Sequence, residues 1–342
     1  MFSFKYDYSE GAHPSILSAL AQVNDEQTDG YGEDQFCAEA VNLIQKQMGK
    51  KCFVNFLSGG TQANLTLISH ALRQHQAVIS ADTGHIFTNE AGAIEAQGHK
   101  VIACPATADG KLTVAAIESA VNSHNRAPHL VQPKLVYISQ TTELGTVYNR
   151  KELEDISLFC REAGLYLYID GARLAMALAV EESGLTMADY ARLSDAFTAG
   201  GTKNGALFGE AMIIPNAEIA RDFLYSVKQN GGLLAKGRVL GIQFMEMFRE
   251  DLYVELARHA NSMGVLLRDE LVKLGYKTQV DSPTNIHFVL LPDKKLEVLK
   301  KNFGFLPTAK PDKEHTYVRL VTSWATTKED VMKFVDAVAK GS

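Results

Sequence analysis

Seven short apolar runs alternate with helix-period segments through the first two-thirds of this 342-residue chain. The runs fall at 53–57, 77–81, 100–103, 134–139, 165–170, 196–199 and 211–214. Helical spacing of apolar residues covers 14–23, 34–48 and 62–74, and a helix over 150–162 is expected to turn Leu153, Ile156, Leu158 and Phe159 inward. Strands separated by helices pair mostly in parallel and are covered by helices on both faces, because parallel neighbours need a crossover between them. The expected architecture is therefore α/β, a mostly parallel sheet flanked by helices. Ligands of such sheets gather at the carboxyl ends of the strands.

After Gly231-Gly232 the pattern changes. A helical stretch runs from about 234 to beyond 271 with a break near 249–253, followed by strands at 286–291 and 317–323 and helices near 296–302 and 328–339. This reads as a small α+β unit. The expected domains are 1–250, large, and 251–342, small, with the amino-terminal segment able to pack on the small one.

Three local motifs stand at strand ends. Tyr168-Ile169-Asp170-Gly171-Ala172-Arg173 is a buried strand ending in a carboxylate. Ala199-Gly200-Gly201-Thr202-Lys203-Asn204-Gly205 holds an amine in a glycine-rich loop. Upstream, Phe56-Leu57-Ser58-Gly59-Gly60-Thr61-Gln62 runs from a strand into a helix, where glycines allow close approach to a phosphate and the helix start offers free N–H groups. Its spacing is neither a dinucleotide fingerprint nor a P-loop. Each motif alone is also what an ordinary cap or turn leaves. Together they suit pyridoxal phosphate, which needs an amine for the Schiff base and a carboxylate at the pyridinium nitrogen.

Hydrophobic residues make up 46%, charged residues 22%, and the net charge is −6, which argues against nucleic-acid or anionic-membrane partners. The amino end lacks the basic-then-apolar pattern of a secretion signal, and no apolar run is long enough to span a bilayer. Cys37, Cys52, Cys104 and Cys160 are scattered, as in a reduced cytoplasmic protein. The histidines show no zinc-binding spacing, so no metal is expected.

The ordered set Ser58-Gly59-Gly60-Thr61-Gln62-Ala63-Asn64, Asp170-Gly171-Ala172-Arg173 and Thr202-Lys203-Asn204-Gly205 resembles the L-threonine aldolase family. Further matches are Gly30-Tyr31-Gly32-Glu33-Asp34, His85 with Asn89-Glu90-Ala91-Gly92, and Val318-Arg319-Leu320-Val321-Thr322. The resemblance covers essentially the whole chain. It implies the fold type I architecture of pyridoxal phosphate enzymes, related to aspartate aminotransferase, and retro-aldol cleavage of L-threonine, L-allo-threonine or phenylserine to glycine and an aldehyde. Lys203 would be the Schiff-base lysine and Asp170 the pyridinium partner. Ser58, Gly59, Gly60, Thr61 and Thr202 would hold the cofactor, with His85 stacked on its ring. Arg173 would meet the ring hydroxyl or the substrate carboxylate, and Arg319 the carboxylate. His85 and His129 would be the candidate bases.

Two departures stand out. Tyr6 occupies the place of a carboxylate-binding serine, and Glu143 that of a histidine found in several relatives. The resemblance also implies a homodimer or homotetramer in which Tyr31 reaches a neighbouring subunit's site. The competing expectations are a β-eliminating lyase for aromatic or sulfur amino acids and a non-catalytic relic of the fold.

Overall fold

In the computed structural model, which describes residues 2–340, the nine expected runs fall on strands and three short strands join them, twelve in all. They are β1 (Phe2–Ser3), β2 (Phe53–Leu57), β3 (Gln76–Ala81), β4 (Val101–Cys104), β5 (Gln132–Ser139) and β6 (Tyr166–Asp170), then β7 (Ala196–Gly200), β8 (Glu210–Ile214), β9 (Ile286–Pro292), β10 (Phe303–Gly304), β11 (Leu306–Pro307) and β12 (His315–Val321). The main sheet has the order β2-β8-β7-β6-β5-β3-β4. Its strands run in one direction except β8, which is antiparallel to both β2 and β7.

Alternation along the central strands feeds two cores. In β5, Leu135 and Tyr137 join one core while Val136 and Ile138 join the other, and in β6 Tyr168 faces opposite to Leu167 and Ile169. Both faces are covered, so the strands read as continuous apolar runs.

The remaining strands form a three-stranded antiparallel sheet, β11-β12-β9, and a short parallel pair, β1-β10. Phe4, just after β1, is fully buried in the core of this smaller unit with Val289, Val318 and Phe334. The Leu252–Lys273 helix links the cores: Tyr253, Ala257 and Ala260 belong to the large one, Leu267 and Leu271 to the small one.

The expected long helix is interrupted where anticipated, with Arg238–Arg249 and Leu252–Lys273 separated at Asp251, whose φ is 57°. The helix expected at 62–74 is instead Gly60–Ala71, starting on the second glycine of the motif. That expected at 296–302 is Asp293–Leu299, set by the preceding strand's end at Pro292. Met187–Leu193 is a helix that periodicity does not mark, although Thr186 and Asp189 form a capping box at its start. Among the described residues no helix is long and apolar enough to cross a membrane, and no acidic, histidine or cysteine cluster suits a metal.

Candidate active site

The carboxyl ends of β2, β5, β6 and β7 lie at one edge of the sheet. The reversed strand β8 brings its amino end there too, since Glu210 pairs with both Leu57 and Gly200. A cavity of about 320 Å³ opens at this edge. Ser58, Gly59, Gly60, Thr61, His85, Asp170, Arg173, Thr202 and Lys203, all expected from the sequence, line it together with Tyr8, Asn64, Glu143 and Glu210.

Lys203 is carried on the turn joining β7 to β8. Gly201 N–H donates to the Gly209 carbonyl at 2.9 Å, and Gly209 N–H returns to the Thr202 hydroxyl at 2.9 Å. Asn204 pins the turn to the Tyr253 carbonyl at 2.7 Å. Gly205 has φ +88°, and a Cβ there would meet Leu256 Cδ1 at 2.7 Å, so both conformation and space call for glycine. No hydrogen bond or ion pair among the described residues engages the Lys203 amine. Burial, then the Arg173 guanidinium, push its pKa down, against the pull of Asp7, Asp170 and Glu210.

Asp170 ends β6 and is buried. Its Oδ2 accepts from Tyr137 Oη at 2.6 Å and Asn64 Nδ2 at 2.9 Å, and its Oδ1 accepts from Ala172 N–H at 2.9 Å. Gly171 lets β7 come this close, since a Cβ there would meet the Thr198 carbonyl at 1.9 Å. Three donors hold this carboxyl in one orientation at the cavity floor.

The opposite end of the cavity is the start of the Gly60–Ala71 helix, whose cap Gly59 offers no side-chain hydrogen bond. Added Cβ atoms at Gly59 or Gly60 would meet nothing within 4 Å, so the backbone is open to a ligand. Ser58 is turned to Gln62, which accepts from both its N–H, at 3.1 Å, and its hydroxyl, at 2.9 Å. The exposed N–H groups of the first turn form an anion-binding end.

His85 follows β3, with Nδ1 2.8 Å from Glu90 Oε1. That oxygen already accepts from Asn64 Nδ2 at 2.7 Å, so the ring donates to it through Nδ1. Glu143 accepts from the Ser139 hydroxyl at 2.6 Å and from His85 N–H at 3.0 Å, and burial pushes its pKa up.

Arg173 is held by Asp7 through Nε at 2.6 Å and Nη2 at 3.0 Å, while Asn285 donates to the same carboxylate at 2.9 Å. Burial works against the ionised Asp7, but the guanidinium beside it holds the carboxyl below its usual range. Arg319 lies on β12, paired in the sheet with Phe288 and Leu306, and no hydrogen bond or ion pair among the described residues engages its guanidinium. Burial, then repulsion from Arg173, lower its pKa to about 10. Two guanidinium groups that repel each other call for an anion between or beside them.

Four expected residues, Arg319 among them, stand apart from the cavity lining. His129 is exposed in the turn before β5, its N–H bonded to the Arg126 carbonyl. The site lies at the other end of that strand, about 23 Å away at the rise of an extended chain. His129 is therefore not part of this chain's cavity, because a parallel strand separates its two ends by its whole length. Tyr31 is 48% exposed with φ 61°, its ring 4.5 Å from Lys228 Nζ rather than at the cavity. Tyr6 stacks on Tyr8 at 4.9 Å and borders the cavity only through that neighbour. Glu210, Tyr137 and the anchoring role of Asp7 were not marked in the sequence.

The arrangement fits pyridoxal phosphate: an amine without a partner, a buried carboxylate and an uncapped helix start share one cavity. Comparisons with known proteins agree. A family model described as Beta-eliminating lyase matches residues 9–294. The chain is 32% identical to a low specificity L-threonine aldolase of Pseudomonas aeruginosa, covering 96% of this chain and 94% of that one. It is 33% identical to a Pseudomonas sp. protein of the same description, covering 87% and 86%. A solved threonine aldolase of Leishmania major superposes with a TM-score of 0.97 at 46% identity, covering 99% of both chains. A likeness this even from end to end is one of descent, and the chain belongs to the beta-eliminating lyase family as a pyridoxal phosphate-dependent carbon–carbon lyase of the threonine aldolase group.

Proposed function

We propose that this chain cleaves the Cα–Cβ bond of L-threonine, L-allo-threonine or a related L-β-hydroxy-α-amino acid, releasing glycine and an aldehyde. The observation that carries the reading is the partnerless Lys203 amine in the same cavity as the buried Asp170 carboxylate. When bound, pyridoxal phosphate would supply an electron-accepting ring.

Lys203 would bond to the cofactor, and Asp170 would face its ring nitrogen, where a neighbouring carboxylate favours the protonated ring. The first turn of the Gly60–Ala71 helix holds the phosphate. Arg319 takes the substrate carboxylate, with Arg173 beside it, and so orients the Cα–Cβ bond for cleavage. His85 removes the β-hydroxyl proton at Nε2, with Glu90 behind it fixing the tautomer. Glu143 adds a raised-pKa carboxyl to the wall on that side.

We further read the protein as a homodimer or homotetramer whose Tyr31 serves a neighbouring site. The buried free thiols of Cys37, Cys104 and Cys160 fit a cytoplasmic location. Incubation with L-threonine tests the reaction: acetaldehyde and glycine are expected. Release of ammonia without acetaldehyde would instead establish β-elimination. Replacing Lys203 by Ala is expected to abolish both turnover and borohydride-trapped cofactor in a folded protein.

A further inference from the structure

The cavity floor holds a second buried carboxyl that the reaction above leaves unused. Glu210 is 3% exposed and opens β8 beside the Lys203 turn. It is buried there by register, paired in the sheet with Leu57 on one side and Gly200 on the other.

The two carboxyls of the floor are treated differently. Asp170 receives three hydrogen bonds from Tyr137, Asn64 and Ala172. Glu210 receives support from the Thr202 side chain, and its Oε2 is buried with no partner. Of two nearby buried carboxyls, the one with fewer donors is the one that keeps a proton. Burial pushes the Glu210 pKa up to about 8; the Lys203 charge pulls it down, Asp170 pushes it up, and Arg173 pulls it down. Burial raises the pKa values of Tyr168 on β6 and Tyr253 on the Leu252–Lys273 helix well above the usual phenol value, and the Glu210 charge adds to both. Lys203 and Glu210 line the same cavity, and no hydrogen bond among the described residues joins them.

We propose that Glu210 is the positioning residue that sets the charge of Lys203, the two side chains holding a single proton between them near neutral pH. When the proton sits on Nζ, the carboxylate stabilises the ammonium. When an N–H bond of Lys203 breaks, an O–H bond forms at Glu210, and no electrons change hands. The amine is then neutral and nucleophilic without an uncompensated negative charge being left in the floor. This inference rests on Lys203 being the cofactor-bonding lysine.

Competitive labelling of the cofactor-free full-length chain with isotope-coded acetic anhydride, read at the Lys203 peptide, gives the pH at which that amine becomes neutral. In Glu210→Gln the midpoint is expected to fall by about one pH unit, making the neutral amine roughly tenfold more abundant below it. Glu210→Asp is expected to restore the wild-type midpoint. An unchanged midpoint in Glu210→Gln overturns the proposal.

A second measurement needs no Glu210 variant. The infrared band of a protonated carboxylic acid is expected in the wild-type chain at neutral pH, fading as pH passes about 8. It is expected to persist to higher pH in Lys203→Ala. Absence of such a band at neutral pH, or one indifferent to Lys203→Ala, also overturns it. Borohydride trapping of pyridoxal phosphate in parallel separates the two levels. Trapping at another lysine defeats the functional reading, whereas trapping at Lys203 with an unmoved midpoint defeats only the role of Glu210.

Discussion

Asp7 and Arg173, 166 residues apart in the chain, meet through two hydrogen bonds of 2.6 and 3.0 Å, with the Asp7 side chain fully buried. The contact ties the amino-terminal segment to the strand end that carries Asp170. Breaking a buried pair on one side leaves the other charge uncompensated, which typically costs about 3–5 kcal/mol.

Asp7→Asn is therefore expected to lower unfolding free energy by a few kcal/mol, on the order of that penalty, as measured by urea denaturation. The pH dependence has a definite sign. The folded pKa of Asp7 lies below the ordinary value of 3.8, so its contribution is fully present above 3.8 and is lost as pH falls through the folded value. The acid limb of the wild-type stability curve should be steeper than that of Asp7→Asn; parallel limbs would remove the pair from the stability account.

Asp170→Asn should still bind pyridoxal phosphate and lose most turnover, because a neutral partner cannot hold the ring nitrogen protonated. It also sets an amide N–H₂ against either the Ala172 N–H or the Asn64 and Tyr137 donors, a loss of about 1–3 kcal/mol. Near-normal turnover would reduce Asp170 to a structural cap.

For Arg319→Leu, the expected result is a threonine KM raised about a hundredfold, as for the loss of a desolvated charge pair worth roughly 2–5 kcal/mol. Cofactor affinity, measured by fluorescence titration, should hardly move. An unaltered KM would mean that the substrate carboxylate is bound elsewhere.

His287, 1% exposed on β9, tests the smaller core. Burial, then the Arg268 charge, lower its pKa from 6.5 to about 3. Between those values the unfolded chain binds the extra proton, so stability falls as pH drops below 6.5. Relative to His287→Leu, the wild type should lose roughly 2 kcal/mol more on acidification from neutral to about pH 5, as read by chemical denaturation. Equal losses would show that His287 is protonated in place.

If Tyr31 acts on a neighbouring subunit, inactive Lys203→Ala chains mixed with inactive Tyr31→Ala chains should regain activity as subunits exchange. One site of the mixed dimer is then wild type and the other doubly changed. Exchange seen by native mass spectrometry without recovered activity would confine Tyr31 to its own subunit or exclude it from the site.

The residues that could be read in advance are those whose role follows from a local pattern. Asp170 follows an apolar run, Lys203 sits among glycines, and Gly59-Gly60 precede a helical period, so each falls at a strand end once the sheet is parallel. The His129 role implied by the resemblance runs against that same logic, because the residue precedes the strand at 134–139 and so belongs at its amino end. Glu210 left a signal too. Only nine residues, 201–209, separate β7 from β8, too few for a parallel crossover, so β8 must run backwards and begin at the site.

What the sequence determined by itself was the alternation of strands and helices, the edge of the sheet where chemistry gathers, and the identity of the amine and carboxylate presented there. These depend on periodicity and turn chemistry within a few residues. Only the tertiary structure decided that Arg173 is anchored by Asp7, that Arg319 stands without a partner, and that Glu210 is buried near Lys203. Those relations are set by burial and charge between segments far apart in the chain, and neither quantity exists until folding brings the segments together.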